Sequence, residues 1–403
     1  MKQILLINVS GRNRAGLTSS ITSILANYDV VILDIGQAVI HDTLSLGFLV
    51  QLADAAESAA LKDLVFRAYE LDVEIHFTPI TDEDYGDWVA QQQRERYIIT
   101  LLGPRITAAH ISAIADIVAD SGLDIDDISR LSGRMPLQAD AQHDRTCVQL
   151  TVRGHAEDLA AMRSRFLHVS AEQDNDVAFQ IDDVYRRNRR LVALDMDSTL
   201  VQCEVIDELA SAAGVGPQVA AITEQAMNGE LDFRESFVQR LALLEGLSET
   251  VLEEIAQCLP LTEGAERLVA NLKSLGYKIA ILSGGFTYFA NHLQQRLGID
   301  YVYANELEIV DGKLTGRVTG DIVDGARKAQ LLEEIARRED IRLEQVIAVG
   351  DGANDLPMLG AAGLGIAFHA KPIVRREARQ SISNVGLDGI LYLMGVRDRE
   401  ARG

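Results

Sequence analysis

Four short apolar runs in the second half of the chain constrain its fold more than any other feature. They are "RLVAL", ending at Leu194, "KIAILS", ending at Ser283, "VIAVG", ending at Gly350, and "LGIAF", ending at Phe368. Each is short, continuous and separated from the next by helix-patterned sequence, the signature of parallel strands buried between two helical layers. In such a sheet the ligand sits beyond the carboxyl ends of the strands. The residues immediately after each run therefore form the candidate site. The first run leads into "DMDST", bringing Asp195 and Asp197, the second delivers Ser283 and Gly284, and the third opens "DGAND", with Asp351, Asn354 and Asp355.

Asp, Ser and Thr at a strand end also suit a helix cap, so "DMDST" alone leaves that reading open. A cluster of carboxylates converging on one point is costly unless a cation neutralises it. Oxygen donors of this kind suit Mg²⁺, which keeps several waters and binds through a few carboxylates plus a substrate phosphate. Two carboxylates in different environments can then divide the chemistry, Asp195 as nucleophile and Asp197 as proton carrier.

Composition narrows the partners. Among 403 residues, 60 acidic against 38 basic give a net charge of −22, which argues against nucleic acid or an anionic membrane as the main partner. "MKQILLINVSGRNRAG" lacks the pattern of a signal peptide, and no apolar stretch reaches membrane-span length. The cysteines Cys147, Cys203 and Cys258 are scattered, without CxxC spacing. A reduced, cytoplasmic setting is expected.

The first half carries an internal repeat. "QILLINVS", a turn-rich "GRNRAG", a helix with Leu17, Ile21 and Leu25 on one face, two strands, a helix over about 54–69 and "DVEIHF" form one βαββαβ unit. "RYIITLLG", a helix through Ile114 and Val118, "LDIDDIS", "RTCVQLTVRG", another helix and "DVAFQID" repeat it. This order resembles the ACT domain, an amino-acid-sensing module whose first loop usually reads G-x-D-R-P-G-L. Gly11 and Gly16 keep both glycines of that loop, whereas the second copy keeps only Gly103. The resemblance implies an effector near these glycines, with backbone N–H groups approaching its carboxylate. Serine is the amino acid expected as effector, and pairing of ACT modules implies a homodimer. The basic run "VYRRNRRL", Val184–Leu191, reads as a solvated linker.

From Leu191 to about Gly395 the motifs resemble the haloacid dehalogenase superfamily: D-x-D-x-T, then a Ser, a Lys and G-D-x-x-x-D in order. The resemblance implies phosphoryl transfer through an aspartyl phosphate, with Asp195, Asp197 and Asp351 as metal ligands and Asp355 in support. Lys328 of "DGARKAQLLEEI" matches the phosphate-contacting lysine, beside Ser283, Gly284 and Asn354. Within the superfamily, "LVQCEVIDELA" and "MNGELDFRESFVQRL" resemble the phosphoserine phosphatase family, whose small helical cap binds a zwitterion. Glu204 would accept from the ammonium and Arg240 would fork the carboxylate, with Met227 and Phe233 at lid positions. The expected architecture is α/β: a Rossmann-like catalytic domain over 188–403 with a cap at about 205–265. Two α+β modules precede it, at 1–85 and 92–183. The expected activity is Mg²⁺-dependent hydrolysis of phosphoserine, the last step of serine biosynthesis. A related phosphatase or phosphotransferase for a compound such as homoserine phosphate, or an inactive amino-acid sensor, remains open on these residues.

Overall fold

The computed structural model of the chain describes residues 2–134, 145–227 and 230–402. It forms two compact units, residues 1–94 and 95–403.

The first unit contains β1 (Lys2–Arg12), α1 (Leu17–Asn27), β2 (Val31–Ile40), β3 (Thr43–Ala53), α2 (Asp54–Glu70), β4 (Val73–Ile80) and α3 (Asp82–Gln91). Its antiparallel sheet runs β2-β3-β1-β4. Strict alternation sends Leu5, Ile7 and Val9 of β1, with Leu44, Leu46, Phe48 and Val50 of β3, onto one face. There they pack against Leu17, Ile21 and Leu25 of α1 and Leu64 of α2. The expected turn "GRNRAG" is shorter than its sequence suggests, because β1 continues through Gly11 and Arg12, paired with Leu44 and Thr43 of β3. At Gly11 a Cβ would run into Val73, whereas Gly16 caps α1 at φ 86° with open space around it. The two glycines thus have different reasons: close packing in one case, left-handed backbone in the other.

The second unit begins with β5 (Arg96–Gly103), α4 (Ala108–Asp120), β6 (Leu123–Arg130), β7 (Thr146–Gly154), α5 (Leu159–Glu172) and β8 (Asp176–Ile181). Its sheet order, β6-β7-β5-β8, is that of the first unit. Tyr97, Ile99 and Leu101 of β5 pack with Ile114, Val118, Leu150, Phe166 and Phe179.

The same unit continues into a seven-stranded sheet built from β9 (Leu191–Leu194), β10 (Lys278–Phe286), β11 (Tyr301–Val310), β12 (Lys313–Thr319), β13 (Val346–Gly350), β14 (Leu364–Phe368) and β15 (Gln380–Ile382). Its order is β12-β11-β10-β9-β13-β14-β15, parallel except for the β11–β12 hairpin. Val192 and Leu194 of β9 enter one core, Leu191 and Ala193 the other, so helices cover both faces as the apolar runs require. Between β9 and β10 a helical insertion comprises α6 (Val205–Ala212), α7 (Gly216–Met227), α8 (Phe233–Ala242) and α9 (Thr250–Cys258). Later helices include α10 (Ala265–Ser274), α11 (Thr287–Leu297) and α12 (Gly325–Arg338).

The basic run at Val184–Leu191 is solvated only in part: Val184, Arg187, Asn188 and Arg190 are exposed, as expected of a linker, but two of its arginines are not. Arg186 and Arg189 are buried; Arg186 Nη2 donates to Gln149 Oε1 at 2.7 Å and Arg189 donates to the Glu344 carbonyl. These bonds tie the segment to β7 on one side and to the turn before β13 on the other, and the long apolar stems of arginine can be buried while part of each head finds a neutral oxygen.

Candidate active site

Asp195 sits directly after β9, and its Oδ1 accepts from the Met196 N–H at 2.8 Å. The chain then turns tightly through Met196–Leu200, with Ser198 at φ 55°, a left-handed conformation that non-glycine residues rarely adopt. This turn brings Asp197 back over the strand end. Its Oδ1 accepts from the Val205 N–H at 3.1 Å. Asp351 enters after β13 and accepts from Thr199 Oγ1 at 3.3 Å.

Lys328 arrives from α12, whose N-terminus is fixed by Asp324 accepting from the Arg327 N–H at 2.9 Å. Its fully buried Nζ lies 2.9 Å from Asp195 Oδ1 and 2.7 Å from Asp355 Oδ1. Asp355 Oδ2 in turn accepts from the Gly352 N–H at 3.0 Å. Burial alone would push Lys328 down, but Asp195 and Asp355 hold it above its ordinary value. Burial pushes the Asp195 carboxyl well up, and the Asp355 charge adds to this while Lys328 opposes it. Burial and Glu204 take Asp197 up to about 8; burial, then Asp355 and Glu204, take Asp351 up to about 7.

Carboxylate oxygens of Asp195, Asp351 and Asp355 all lie within 4.8 Å of one another. One lysine cannot neutralise this many acids, and burial first, then the remaining repulsion, raises the carboxyls. An all-oxygen donor set of this kind fits a hard divalent cation.

Glycines let the parts close up. A Cβ at Gly285 would strike the Asp197 carboxylate, and one at Gly350 would strike Asp355. Ser283 is buried, and its Oγ accepts from the Gly285 N–H at 2.9 Å. Asn305 Nδ2 donates to the Gly284 carbonyl at 2.7 Å while its Oδ1 accepts from the Val323 N–H at 2.8 Å. Sequence reasoning passes over Asn305, whose only signal is a polar residue inside the strand "YVYANELEIV".

These groups floor a cavity of about 720 Å³. Asp195, Asp197, Asp351, Gly284 and Asn354 line it from the sheet; Glu204, Phe233 and Arg240 line it from the helical insertion. Ser283, Lys328 and Asp355 stand behind that lining. Glu204 Oε1 accepts from Ser198 Oγ at 2.8 Å, so the strained turn also places the insertion's carboxylate. Burial lowers Arg240 from its ordinary value, opposed first by Glu204. Phe233 lies against Gly284 and is stacked with Phe237, 6.1 Å between centroids. Met227 ends α7, and its side chain lies outside the described residues. The cavity also takes in Thr223, Ser236, Lys371 and Ile373, which the motifs did not mark. Gly11 and Gly16 belong to the first unit. Gly103 ends β5, where a Cβ would strike Asn175, whose Nδ2 donates to the Gln173 carbonyl at 2.8 Å.

Comparison with known proteins gives three family matches. Residues 192–360 match the haloacid dehalogenase-like hydrolase family, and residues 3–78 and 96–180 each match an ACT domain. A phosphoserine phosphatase of Mycobacterium tuberculosis is 43% identical over 399 residues, 98% of this chain and 94% of the relative. One from Streptomyces coelicolor is 40% identical over 402 residues, 98% of this chain and 93% of the relative. Among solved structures, a probable phosphoserine phosphatase from Vibrio cholerae is 36% identical. It covers 76% of this chain and 88% of its own length with a TM-score of 0.59.

Proposed function

This chain belongs to the phosphoserine phosphatases, haloacid dehalogenase-like hydrolases here carrying two ACT domains, and we propose that it hydrolyses O-phospho-L-serine through an aspartyl phosphate with Mg²⁺. The observation that carries this reading is one cavity in which Asp195 and Asp197 face Glu204 and Arg240.

In the proposed reaction Asp195 attacks phosphorus in line, and Asp197 gives its proton to the departing serine oxygen. Asp197 then takes a proton from water, which attacks the phospho-aspartate and releases phosphate. Lys328 balances charge beside the nucleophile, while Ser283 and the Gly284 N–H orient the phosphoryl oxygens. Asp195, Asp351 and the Asp197 carbonyl would hold Mg²⁺, supported by Asn354 and Asp355. Bound there, the ion offsets the carboxylate and phosphoryl charges. Glu204 takes the substrate ammonium and Arg240 its carboxylate, with Met227 and Phe233 closing the lid.

The product, serine, places the reaction at the end of serine biosynthesis, in the cytoplasm. Among the described residues no helix is long and apolar enough to cross a membrane. We assign the ACT modules to 1–85 and 92–183, the phosphatase domain to 188–403 and its cap to about 205–265. Serine binding near Gly11–Gly16, and a homodimer held by residues before Arg187, complete the proposal.

Arg240→Ala tests the substrate assignment. Losing a buried charged partner costs about 2–5 kcal/mol, so kcat/KM for phosphoserine should fall about 30-fold or more. An aryl phosphate, lacking the zwitterion, should lose far less. Equal losses on both substrates would remove Arg240 from recognition.

A further inference from the structure

The first unit contains a second cavity, of about 320 Å³, on the sheet face opposite α1 and α2. Its size is within the range of small-molecule sites, about 300–1,000 Å³. Two glycines lie directly across from each other there, Gly36 of β2 and Gly47 of β3. Neither has a positive φ, so backbone conformation does not demand glycine at either position. A Cβ at Gly36 would meet nothing within 4 Å. Glycine within a strand sacrifices stability and often marks a place where a ligand approaches the backbone. The hollow is walled by Leu6, Leu49 and Ile80 and roofed by α3.

From α3, Tyr85 and Trp88 line it, their ring centroids 5.9 Å apart with planes tilted by 35°. The charged lining residues are Asp34 and Asp84, and among the described residues no basic side chain lines the cavity. Asp34 Oδ1 accepts from the Ile35 N–H at 2.9 Å, and Asp84 Oδ2 accepts from Thr81 Oγ1 at 2.6 Å. Apolar walls, aromatic faces and carboxylates recognise an organic ammonium: the rings attract the cation and the carboxylates complete its charge balance. They disfavour an anion or a bare phosphate. We propose that this hollow binds small aryl- or alkylammonium compounds, a ligand class distinct from the zwitterion assigned to the first loop. The proposal rests on the first unit alone and is independent of the phosphatase reading.

Trp88 is the chain's one tryptophan, so its emission reports on this site. The full chain would be titrated with benzyltrimethylammonium, with benzyl alcohol and benzoate as controls. A saturable emission change is expected, with the ammonium binding about ten-fold tighter than benzyl alcohol and benzoate weaker still. Gly36→Val should fill the hollow and abolish the change, with far-UV circular dichroism unaltered. The double variant Asp34→Asn, Asp84→Asn should weaken the ammonium about ten-fold, towards benzyl alcohol, and tests the site even if Gly36→Val misfolds. No saturable change, benzyl alcohol or benzoate binding as tightly as the ammonium, or undiminished ammonium binding in a folded Gly36→Val or the double variant would overturn the proposal.

Discussion

The two ACT modules share a strand order, but the second is built into the catalytic unit and the first is not. In the second module, Asp176 at the start of β8 accepts from the Ser383 and Asn384 N–H groups, each at 2.8 Å. Gln380 pairs its side-chain amide with both the N–H and the carbonyl of Phe179, standing in for a neighbouring strand at the β8 edge. Arg145 and Arg267 meet on buried Asp388, and Leu102, Leu131, Cys147 and Ala178 belong to the same core as β9 and α10. The first module instead closes its own core and forms its own compact unit. Its loop at Gly16 is open, whereas Asn175 fills the space beside Gly103. One copy of the repeated fold is thus a structural extension of the phosphatase, and the other forms a compact unit of its own.

The strongest way to break this contrast is truncation. A chain starting at Glu95 should fold and keep phosphoserine turnover. Removing the second module as well, so that the chain starts at Asn188, should expose the apolar partners of Leu102 and Ala178 and leave Asp388 without Arg145, with Arg267 as its remaining ion pair. Its melting temperature should collapse or the protein should aggregate. Equal melting of the two truncated chains would erase the distinction.

Single substitutions sharpen it. Asp176→Ala removes the acceptor of two half-buried N–H groups and should cost about 1–3 kcal/mol in denaturant unfolding of the second unit. Gly16→Val, at a left-handed position with free space, should cost about 1–3 kcal/mol. That variant should also blunt any change of activity on adding serine while keeping basal turnover. A full serine response in Gly16→Val would move the effector elsewhere.

The smallest effect is a pH slope. Burial raises the Asp176 carboxyl from 3.8 to about 6, against the pull of the Asn384 and Ser383 N–H groups. The folded chain therefore holds a proton there that the unfolded chain has released. Stability from this group is present below 3.8 and is lost as pH rises through about 6. The melting temperature of wild type minus that of Asp176→Asn should be more favourable at about pH 5 than at about pH 7.5. A difference independent of pH would contradict the raised carboxyl.

The same contrast governs what can be read from the sequence. The catalytic strands are legible because burial on both faces leaves continuous apolar runs, and the polar residues after them are neighbours of those runs. The repeat is legible because alternation and helical periodicity are local. The docking of the second module is not. Asp176 meets Ser383 across 207 residues, and Gln380 and Asp388 look like ordinary polar positions until the sheets are assembled. Arg186 and Arg189 mislead for the same reason, since a basic run usually faces water. Helix α3, Asn305 and the Gly36–Gly47 pairing carry no motif.

The most direct test of the account is phosphate release from O-phospho-L-serine with Mg²⁺, comparing the full chain with Asp195→Asn. An amide cannot form the acyl phosphate, so wild type should turn over while the variant, folded to the same melting curve, releases no phosphate above background. Turnover by Asp195→Asn near the wild-type rate, or none by wild type, would contradict it.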